Sequence, residues 1–525
     1  MKTVKKNIFI ILVLILCAAA FLFFGRAKAG YFIDEIHTYG LSNSHYAPYI
    51  SDVAGGSLVD TEISRGELID YATVNDGEIF DYGSVYYNQT KDVHPPLYYF
   101  IFNTVSGIAG ENFTKWTGLA LNLVIYIAAL FVFYKLCMNL FGGKARVAAS
   151  TTLLYGLSTI GISTAIYIRM YVLLMFFTVL LAYFALRLYS TKKYRYCLLF
   201  GLCVFLGAFT QYYFVFYAFF LSAALCIYML VRKEYGVLWR LMACALAGIA
   251  LLILVFPASI DHIFGGNGKV VGGGAVLSSI TDFSSYGTRA NAFVHFLTHG
   301  LKAAILVGLA AAVYLIVKLA KNKKSGEKKQ KLKYITPTLL LVVPAVLAWC
   351  VNIMVCPENT LAERYVYNIA PLFVLVPGWI MAQLDFKFDI AVCLGALIAS
   401  LILCKPSNLT SEALEYNRIL SEHKDAPLVY ITDDHFEPLT YDFQQLLLFD
   451  DLFTTNDTGS GKMLDYVNSS GSNEIVVFID QDAFWSSGYK PEEILPALEE
   501  STGYRHCTPL YSNGFSGAYL LRKDK

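Results

Sequence analysis

Residues 8–24, IFIILVLILCAAAFLFF, form an unbroken apolar run near the amino terminus, and residues 25–37 that follow are GRAKAGYFIDEIH. An apolar run of 17 residues is long enough to cross the hydrocarbon core of a bilayer as a helix. Asp34 and Glu35 therefore follow the first span closely. We expect these two carboxylates to lie where lipid gives way to water.

The composition of the whole chain agrees with that start. Of 525 residues, 56% are hydrophobic and only 15% are charged, and the mean hydropathy is +0.51. A soluble protein of this composition would lack the polar surface to cover its core. The sequence therefore predicts a polytopic α-helical membrane protein. Its net charge of +1 gives no reason to expect nucleic acid as a partner.

Apolar runs long enough to span a bilayer recur along the chain. We predict about eleven transmembrane helices, at residues 8–24, 117–137, 147–166, 170–189, 196–211, 213–230, 240–257, 299–319, 335–353, 366–383 and 389–404. One long bent helix across Gln211 and Tyr212 is an alternative that would change the count.

Lysine and arginine residues cluster in alternate loops, which is typical of the cytoplasmic side. Basic residues precede the first span and follow the second, fourth, sixth, eighth and tenth spans. This pattern predicts an integral protein of the plasma membrane with a cytoplasmic amino terminus and an extracytoplasmic carboxyl-terminal domain. The amino-terminal segment could instead be a cleaved signal peptide, since Ala27-Lys28-Ala29 has small residues at the required spacing.

The predicted topology leaves three regions outside the membrane on one face. A transmembrane domain at 1–404 carries a first outer loop at 25–116 and a Gly-rich outer loop at 258–298, which we interpret as a mobile flap. The tail at 405–525 is more polar, and short buried strands at 428–431 and 475–479 beside a helical pattern at 491–500 predict a small α/β domain.

Two smaller features complete the predicted layout. The apolar segment 94–110 is too short to span, so we expect a helix lying in the membrane interface, with Pro95 and Pro96 at its amino terminus. Cys350 and Cys356 are close enough in sequence to invite a disulfide, and the other cysteines read as core residues.

Several charged residues stand where chemistry could occur. The apolar neighbours of Asp34 and Glu35 should raise their pKa values toward the range of a general base, although a solvated acidic pair is the alternative. Arg169 is the single charge in its stretch, and it could bind an anion or reach the headgroups. Arg364 resembles it, but Glu363 could be its salt-bridge partner. Lys91 and His94 end the first outer loop.

Carboxylates with cations at a membrane surface suit the transfer of a sugar from a polyprenyl phosphate. The phosphate is already a good leaving group, so one base must take the proton of the acceptor hydroxyl and cations must hold the phosphate. A carboxylate pair of the glycoside-hydrolase kind is not required.

The motifs resemble those of the GT-C membrane glycosyltransferases, and most closely glycosyltransferase family 39, which includes protein O-mannosyltransferases and lipid A aminoarabinose transferases. The resemblance lies in Asp-Glu after the first span, His-Pro-Pro-Leu-Tyr about 60 residues later, Arg-Met-Tyr from Arg169 and Glu-Arg-Tyr from Glu363. It covers the arrangement of spans and loops over residues 8–383, but few individual residues are identical. The resemblance implies that Asp34 is the base and Glu35 its supporting partner.

The resulting hypothesis is an inverting, polyprenyl-phosphate-sugar-dependent transferase acting on the outer face of the membrane on an unidentified acceptor lipid, glycan or protein. Lys91, His94, Arg169 and Arg364 would bind the donor phosphate, and Tyr98, Tyr171 and Tyr365 the substrates. The alternatives are a transporter or flippase of lipid-linked saccharides and a non-catalytic cell-envelope scaffold.

We expect no cofactor and no essential metal. A divalent cation held by acidic residues of the first outer loop is the alternative, with the candidate ligands Asp70, Asp76, Glu78 and Asp81.

Overall fold

The computed structural model describes residues 2–110, 112–265, 278–324, 332–358, 361–384, 386–482 and 488–524. The chain divides into two compact units. The helical unit comprises Met1–Arg26, Val93–Tyr98 and Leu119–Ser407. The mixed unit comprises Ala27–Asp92, Tyr99–Gly118 and Asn408–Lys525.

Long apolar helices dominate the first of these units. Within the described ranges, seven helices are long and apolar enough to cross a membrane. Each matches a predicted span: Lys2–Ala27, Lys115–Leu140, Tyr171–Thr191, Phe214–Val231, Tyr235–Val255, Lys302–Lys324 and Ile335–Val355. The polytopic helical class is therefore confirmed. The separate helices Tyr194–Ala208 and Phe214–Val231 exclude one long bent helix at Gln211.

The other four predicted spans coincide with shorter or interrupted helices. Two of them are single helices, Tyr194–Ala208 and Phe386–Leu403. The other two are broken, into Ala145–Gly156 and Thr159–Ile166, and into Ala370–Phe373 and Leu375–Met381. The first break lies at Ser158, whose hydroxyl accepts a hydrogen bond from the Gly161 amide and so starts a new helix.

Two short helices, Ala258–Phe264 and Tyr286–Gly300, flank the Gly-rich segment. Part of the predicted flap, residues 266–277 with five of its six clustered glycines, lies outside the described residues. Arg289 is fully buried and donates to the carbonyls of Ser279, Asp282, Met354 and Cys356. The disulfide considered for Cys350 and Cys356 does not form, because both are free thiols.

The mixed unit is built around a six-stranded sheet. Its strands are β1 (Thr61–Ser64), β2 (Leu428–Ile431), β3 (Asp451–Thr455), β4 (Glu474–Asp480), β5 (His506–Ser512) and β6 (Ser516–Arg522). The order is β1-β3-β2-β4-β6-β5, with β3, β2 and β4 parallel and the remaining pairs antiparallel. The two predicted strands are β2 and β4, the centre of the sheet.

The first strand does not belong to the tail. β1 lies in the predicted first outer loop and pairs antiparallel with β3, bringing Thr61 opposite Thr454. The sequence interpretation treats that loop and the tail as separate regions, whereas the structure joins them in one compact unit. β1 contains one apolar residue, Ile63, whereas β2, of the same length, is apolar throughout, so β1 has too little hydrophobic pattern to be recognised from sequence.

Helices cover this sheet and complete the unit. Those between the first and second spans are Ile33–Asn43, Ile50–Val53, Arg65–Ala72 and Tyr82–Lys91, and those of the tail are Ala413–Ser421, Glu437–Leu446, Gly461–Ser469 and Pro491–Thr502. The predicted helix at 491–500 is confirmed. The segment predicted as an interface helix is the helix Leu97–Ala109, which begins directly after Pro95 and Pro96.

A buried carboxylate, Asp442, lies beneath this sheet. Its oxygens accept hydrogen bonds from the Tyr430 hydroxyl at 2.6 Å and the Asn513 amide at 2.8 Å. Burial raises the pKa of Asp442 from 3.8 to about 6 in spite of these donors. Since the folded pKa exceeds the unfolded one, this group stabilises the mixed unit most below pH 4. The contribution is lost as the pH rises through 6.

Replacing this carboxylate should flatten the pH dependence. In wild type, the free energy of unfolding of the mixed unit should fall between pH 4 and 7. In Asp442→Asn, this fall should be smaller, by an amount on the order of 3 kcal/mol at most. Hydrogen exchange of the β2 and β4 peptides measures it. Asp451→Asn is the matched control, because Asp451 also accepts from a tyrosine hydroxyl, that of Tyr466. Equal slopes in wild type and Asp442→Asn would contradict the assignment.

Candidate functional site

The predicted site residues are divided between the two units. Asp34, Glu35 and Lys91 belong to the mixed unit, and His94, Tyr98, Arg169, Tyr171, Arg364 and Tyr365 belong to the helical unit. Each group has its own geometry.

The acidic pair occupies the first turn of the Ile33–Asn43 helix. Phe32 is the residue before that helix, and its backbone N–H donates to Glu35 Oε2 at 2.8 Å. A carboxylate at this position stabilises the helix by satisfying a terminal donor and by interacting with the helix dipole. Asp34, in the same turn, is half-buried.

Glu35 also forms an ion pair that the sequence did not indicate. Its Oε2 lies 2.9 Å from Lys28 Nζ, and both side chains are completely buried. The sequence interpretation makes Glu35 the supporting partner of Asp34. The contacts of Glu35 include Lys28 and the Phe32 amide, and its role as supporting partner stays a prediction. Lys28 follows the first span directly, and in the sequence it is only the middle residue of Ala27-Lys28-Ala29.

Lys91 and the acidic residues of the first loop have structural contacts. The ammonium group of Lys91, which is exposed, lies 5.3 Å from the centre of the Tyr87 ring. Asp81 caps the Tyr82–Lys91 helix by accepting from the Gly83 and Ser84 amides. Among the residues that the structure describes, no three histidine, cysteine or acidic side chains are grouped as metal ligands.

In the helical unit, the structure brings Arg169 and His94 together. Arg169 Nη2 lies 3.4 Å from His94 Nδ1, and only 4% of Arg169 is exposed. Residues 167–170 form a break between the Thr159–Ile166 and Tyr171–Thr191 helices, so Arg169 precedes the amino terminus of the second. A guanidinium, an imidazole and a helix amino terminus all favour a bound anion.

Asn122 joins this break to the His-Pro-Pro-Leu-Tyr segment. Its side-chain oxygen accepts from the Tyr98 hydroxyl at 2.7 Å, and its amide group donates to the carbonyls of Ala165 at 3.0 Å and Tyr167 at 2.7 Å. Asn122 is fully buried. The sequence interpretation missed this residue, although an asparagine inside the apolar Lys115–Leu140 helix is a signal that could have revealed it.

The remaining predicted residues form aromatic clusters in the same unit. The Tyr171 ring stacks on Tyr167 at 5.7 Å and meets Tyr367 edge-on at 6.0 Å. Tyr365 lies 5.1 Å from Tyr213, measured between ring centres. Arg364 is half-buried, with its guanidinium 5.4 Å from the centre of the Tyr365 ring.

Glu363 contacts a different residue from the one considered in the sequence. Its Oε2 accepts a hydrogen bond from the Ser407 hydroxyl at 2.7 Å. That hydroxyl lies 3.0 Å from the Ser163 hydroxyl, and the Ser407 amide donates to the same Ser163 oxygen at 2.9 Å. Glu363 thus belongs to a polar network that holds the end of the helical unit.

The bridging asparagine should be important for stability. Asn122→Leu would leave the Tyr98 hydroxyl and two carbonyls buried without this partner, so we expect the free energy of unfolding to fall by about 2 kcal/mol or more. Thermal unfolding in detergent measures the loss. Asn139→Leu, on the same helix, removes an exposed amide and should have a much smaller effect. Equal losses in the two variants would show that the hydrogen bonds of Asn122 do not stabilise the protein more than those of an exposed asparagine.

Comparison with known proteins gives a match of structure and none of sequence. No family model matches the chain, and no curated protein matches it in sequence. Its structure is similar to that of ArnT from Cupriavidus metallidurans bound to undecaprenyl phosphate, with a TM-score of 0.52, 10% identity, and 97% of each chain covered.

Two further structures match less well. The S. cerevisiae protein O-mannosyltransferase Pmt1-Pmt2 complex bound to the sugar donor has a TM-score of 0.35 and 16% identity, covering 49% of this chain and 35% of that one. Arabinofuranosyltransferase AftD from Mycobacteria has a TM-score of 0.41 and 12% identity, covering 98% of this chain and 40% of that one.

Only the first of these matches supports an argument, and at 10% identity it concerns the fold. It extends over the helical unit and the mixed unit alike, since almost all of both chains is covered. This chain therefore has the fold of ArnT, and the GT-C membrane fold that its motifs resemble is confirmed.

Proposed function

We propose that this chain is an inverting glycosyltransferase that moves a sugar from a polyprenyl-phosphate donor to a hydroxyl group of an acceptor. The observation that carries the proposal is the pairing of Arg169 with His94 at a break between apolar helices. A buried guanidinium in a membrane protein marks a functional site more often than it stabilises the fold.

The pair of Arg169 and His94 suits the phosphate of a lipid-borne donor. Arginine offers several N–H donors in a planar fork, which matches phosphate oxygens better than an ammonium group does. An anion at this point would also be favoured by the amino terminus of the Tyr171–Thr191 helix. The apolar helices around it would accommodate the polyprenyl tail. The undecaprenyl phosphate bound to ArnT, which has the same fold, supports a ligand of this class.

The base in our proposal is Asp34. Because Glu35 is held by the buried Lys28, its negative charge is already neutralised within the protein. Asp34 is half-buried in the same helical turn, and its carboxylate is the better candidate to accept a proton. This division of roles agrees with the resemblance, which assigns the base to the aspartate.

The proposed reaction is a single displacement. The acceptor oxygen attacks the anomeric carbon as its proton passes to Asp34, and the bond from that carbon to the phosphate oxygen breaks. Polyprenyl phosphate leaves with the electron pair of that bond, and the cations stabilise its growing charge. One displacement without an enzyme nucleophile inverts the anomeric carbon. No step needs a metal ion, so we propose that transfer persists in a chelator.

The alternating basic loops support an extracytoplasmic reaction, with the amino terminus in the cytoplasm. In that orientation, we propose that Lys91 and Arg364 contribute to donor binding, and that Tyr98, Tyr171 and Tyr365 contribute to substrate binding. The acceptor is a lipid, glycan or protein of the cell envelope.

Loss of the base should abolish turnover without abolishing the fold. Asp34→Asn should lower kcat by at least about 100-fold, since the acceptor proton then has no place to go. Transfer from a radiolabelled polyprenyl-phosphate sugar in membranes measures this effect, after confirming that the variant is made and inserted. Asp70→Asn, an exposed acid of the same loop, should leave transfer unchanged. Unchanged transfer in Asp34→Asn would refute the assignment of the base.

Removal of the guanidinium should affect the donor step. Arg169→Gln should reduce kcat/KM for the donor by about 100-fold or more, and Arg169→Lys should recover only part of it. Arg187→Gln is the matched control, because Arg187 lies near the far end of the same helix and contacts Asn139. Movement of a lipid-linked saccharide without any transfer by wild type would indicate a transporter instead.

A further inference from the structure

We infer that Lys28 is a positioning residue for Asp34, and that the first residues of the tail act with it. The inference rests on the proposed function, in which Asp34 is the base. It assigns a role in the reaction to a lysine and to a tail segment that no sequence motif marks.

The first element of this arrangement is the ion pair between Lys28 and Glu35. The two charged atoms lie 2.9 Å apart, with both side chains fully buried. Such a pair has a well-defined geometry, because either charge left alone in an apolar interior would be strongly unfavourable. The Glu35 carboxylate also accepts a hydrogen bond from the backbone N–H of Phe32. Both contacts converge on Oε2 of Glu35, so this carboxylate connects Lys28 to the turn that carries Asp34.

The second element connects the same lysine to the tail. Lys28 Nζ donates to the Asn408 carbonyl at 2.6 Å. The next two residues continue this contact, since the Ala29 amide donates to the Leu409 carbonyl at 2.8 Å and the Gly30 amide to the Thr410 hydroxyl at 2.9 Å. Two segments about 380 residues apart in sequence are thus joined by three successive hydrogen bonds.

The tail segment adopts an uncommon backbone conformation at this contact. Asn408 has a φ of 65° and Thr410 a φ of 47°, both in the left-handed region. A β-branched threonine is rarely found there, and such residues occur where surrounding contacts hold them in place. The approach is also close, because a Cβ atom on Gly30 would lie 2.7 Å from Cβ of Ala413. The backbone conformation of residues 408–410 and the absence of a side chain at Gly30 thus allow the two segments to approach closely next to Lys28.

The consequence for Asp34 follows from its place in the chain. It lies six residues after Lys28 and directly before Glu35, in a turn whose position depends on that pair. Small displacements of a catalytic group can reduce a rate by about 100-fold. Lys28, which need not touch the substrate, would therefore act on the rate through the placement of the base.

The test replaces Lys28 by a residue whose side chain has a similar length and no charge. In Lys28→Met, we expect kcat per folded, inserted enzyme to fall by about 10- to 100-fold, with the donor KM changed less than about 3-fold. Lys28→Arg, which keeps the charge, should recover a large part of the lost rate. Lys192→Met breaks another, more exposed lysine–glutamate ion pair, with Glu234 at 2.6 Å, and should keep the wild-type kcat.

A second measurement does not depend on finding the substrate. Hydrogen exchange of peptides covering residues 28–43 and 408–415 should become faster in Lys28→Met, and should be unchanged in Lys192→Met. If Lys28→Met is not inserted, the double variant Lys28→Met with Glu35→Met removes both charges at once and should fold, because the pair is replaced by apolar groups. It should still show the low kcat, since the contact with Asn408 is lost.

The two ideas fail in different ways. A wild-type kcat in the folded Lys28 variants, with unchanged exchange of both peptides, would overturn the positioning role while leaving the proposed function intact. Absence of transfer by wild type with every polyprenyl-phosphate sugar would overturn the proposed function and the catalytic role of Lys28 with it. Faster exchange in Lys28→Met would then still show that the lysine holds the two segments together.

Discussion

A charge or a polar group that is buried away from water has to be satisfied by the protein itself, and this constraint shapes both units of the molecule. In the mixed unit, it pairs Lys28 with Glu35 and so fixes the helix that carries Asp34. In the helical unit, Asn122 satisfies a tyrosine hydroxyl and two carbonyls beside Arg169. Removing one partner from either arrangement would take a contact from a buried polar group, which is destabilising.

The same constraint explains why the proposed function takes its strongest support from Arg169. A guanidinium near an aqueous surface can have many roles, but one that is 96% buried beside an imidazole has few. A transporter would be expected to carry its charges on broken helices near the membrane centre. Breaks do occur, at Ser158 and at residues 167–170, yet the cation there lies beside the histidine of the His-Pro-Pro-Leu-Tyr segment. This association with a motif of the GT-C enzymes favours the transferase over the transporter.

Much of the fold follows from hydropathy, which identified the seven long helices, and from local pattern, which identified β2 and β4. The contacts between distant segments did not follow. Lys28 has no recognisable role until Asn408 and Glu35 are placed beside it, and β1 has one apolar residue in four, too few to distinguish it from loop. Asp34, Arg169 and His94 could be selected as candidates because they are polar residues in unusual positions. Asn122 was equally unusual and was overlooked because it carries no charge.

The pairing of β1 with β3 has a consequence for how the protein is made. Thr61 and Thr454 are partners across the sheet although 393 residues separate them in the chain. An amino-terminal fragment emerging from the ribosome holds only the edge strand of this sheet. β1 cannot pair with β3 until residues 451–455 have been synthesised, close to the end of the chain. Contacts of such long sequence separation form late and slowly. We therefore expect assembly of the mixed unit to be post-translational.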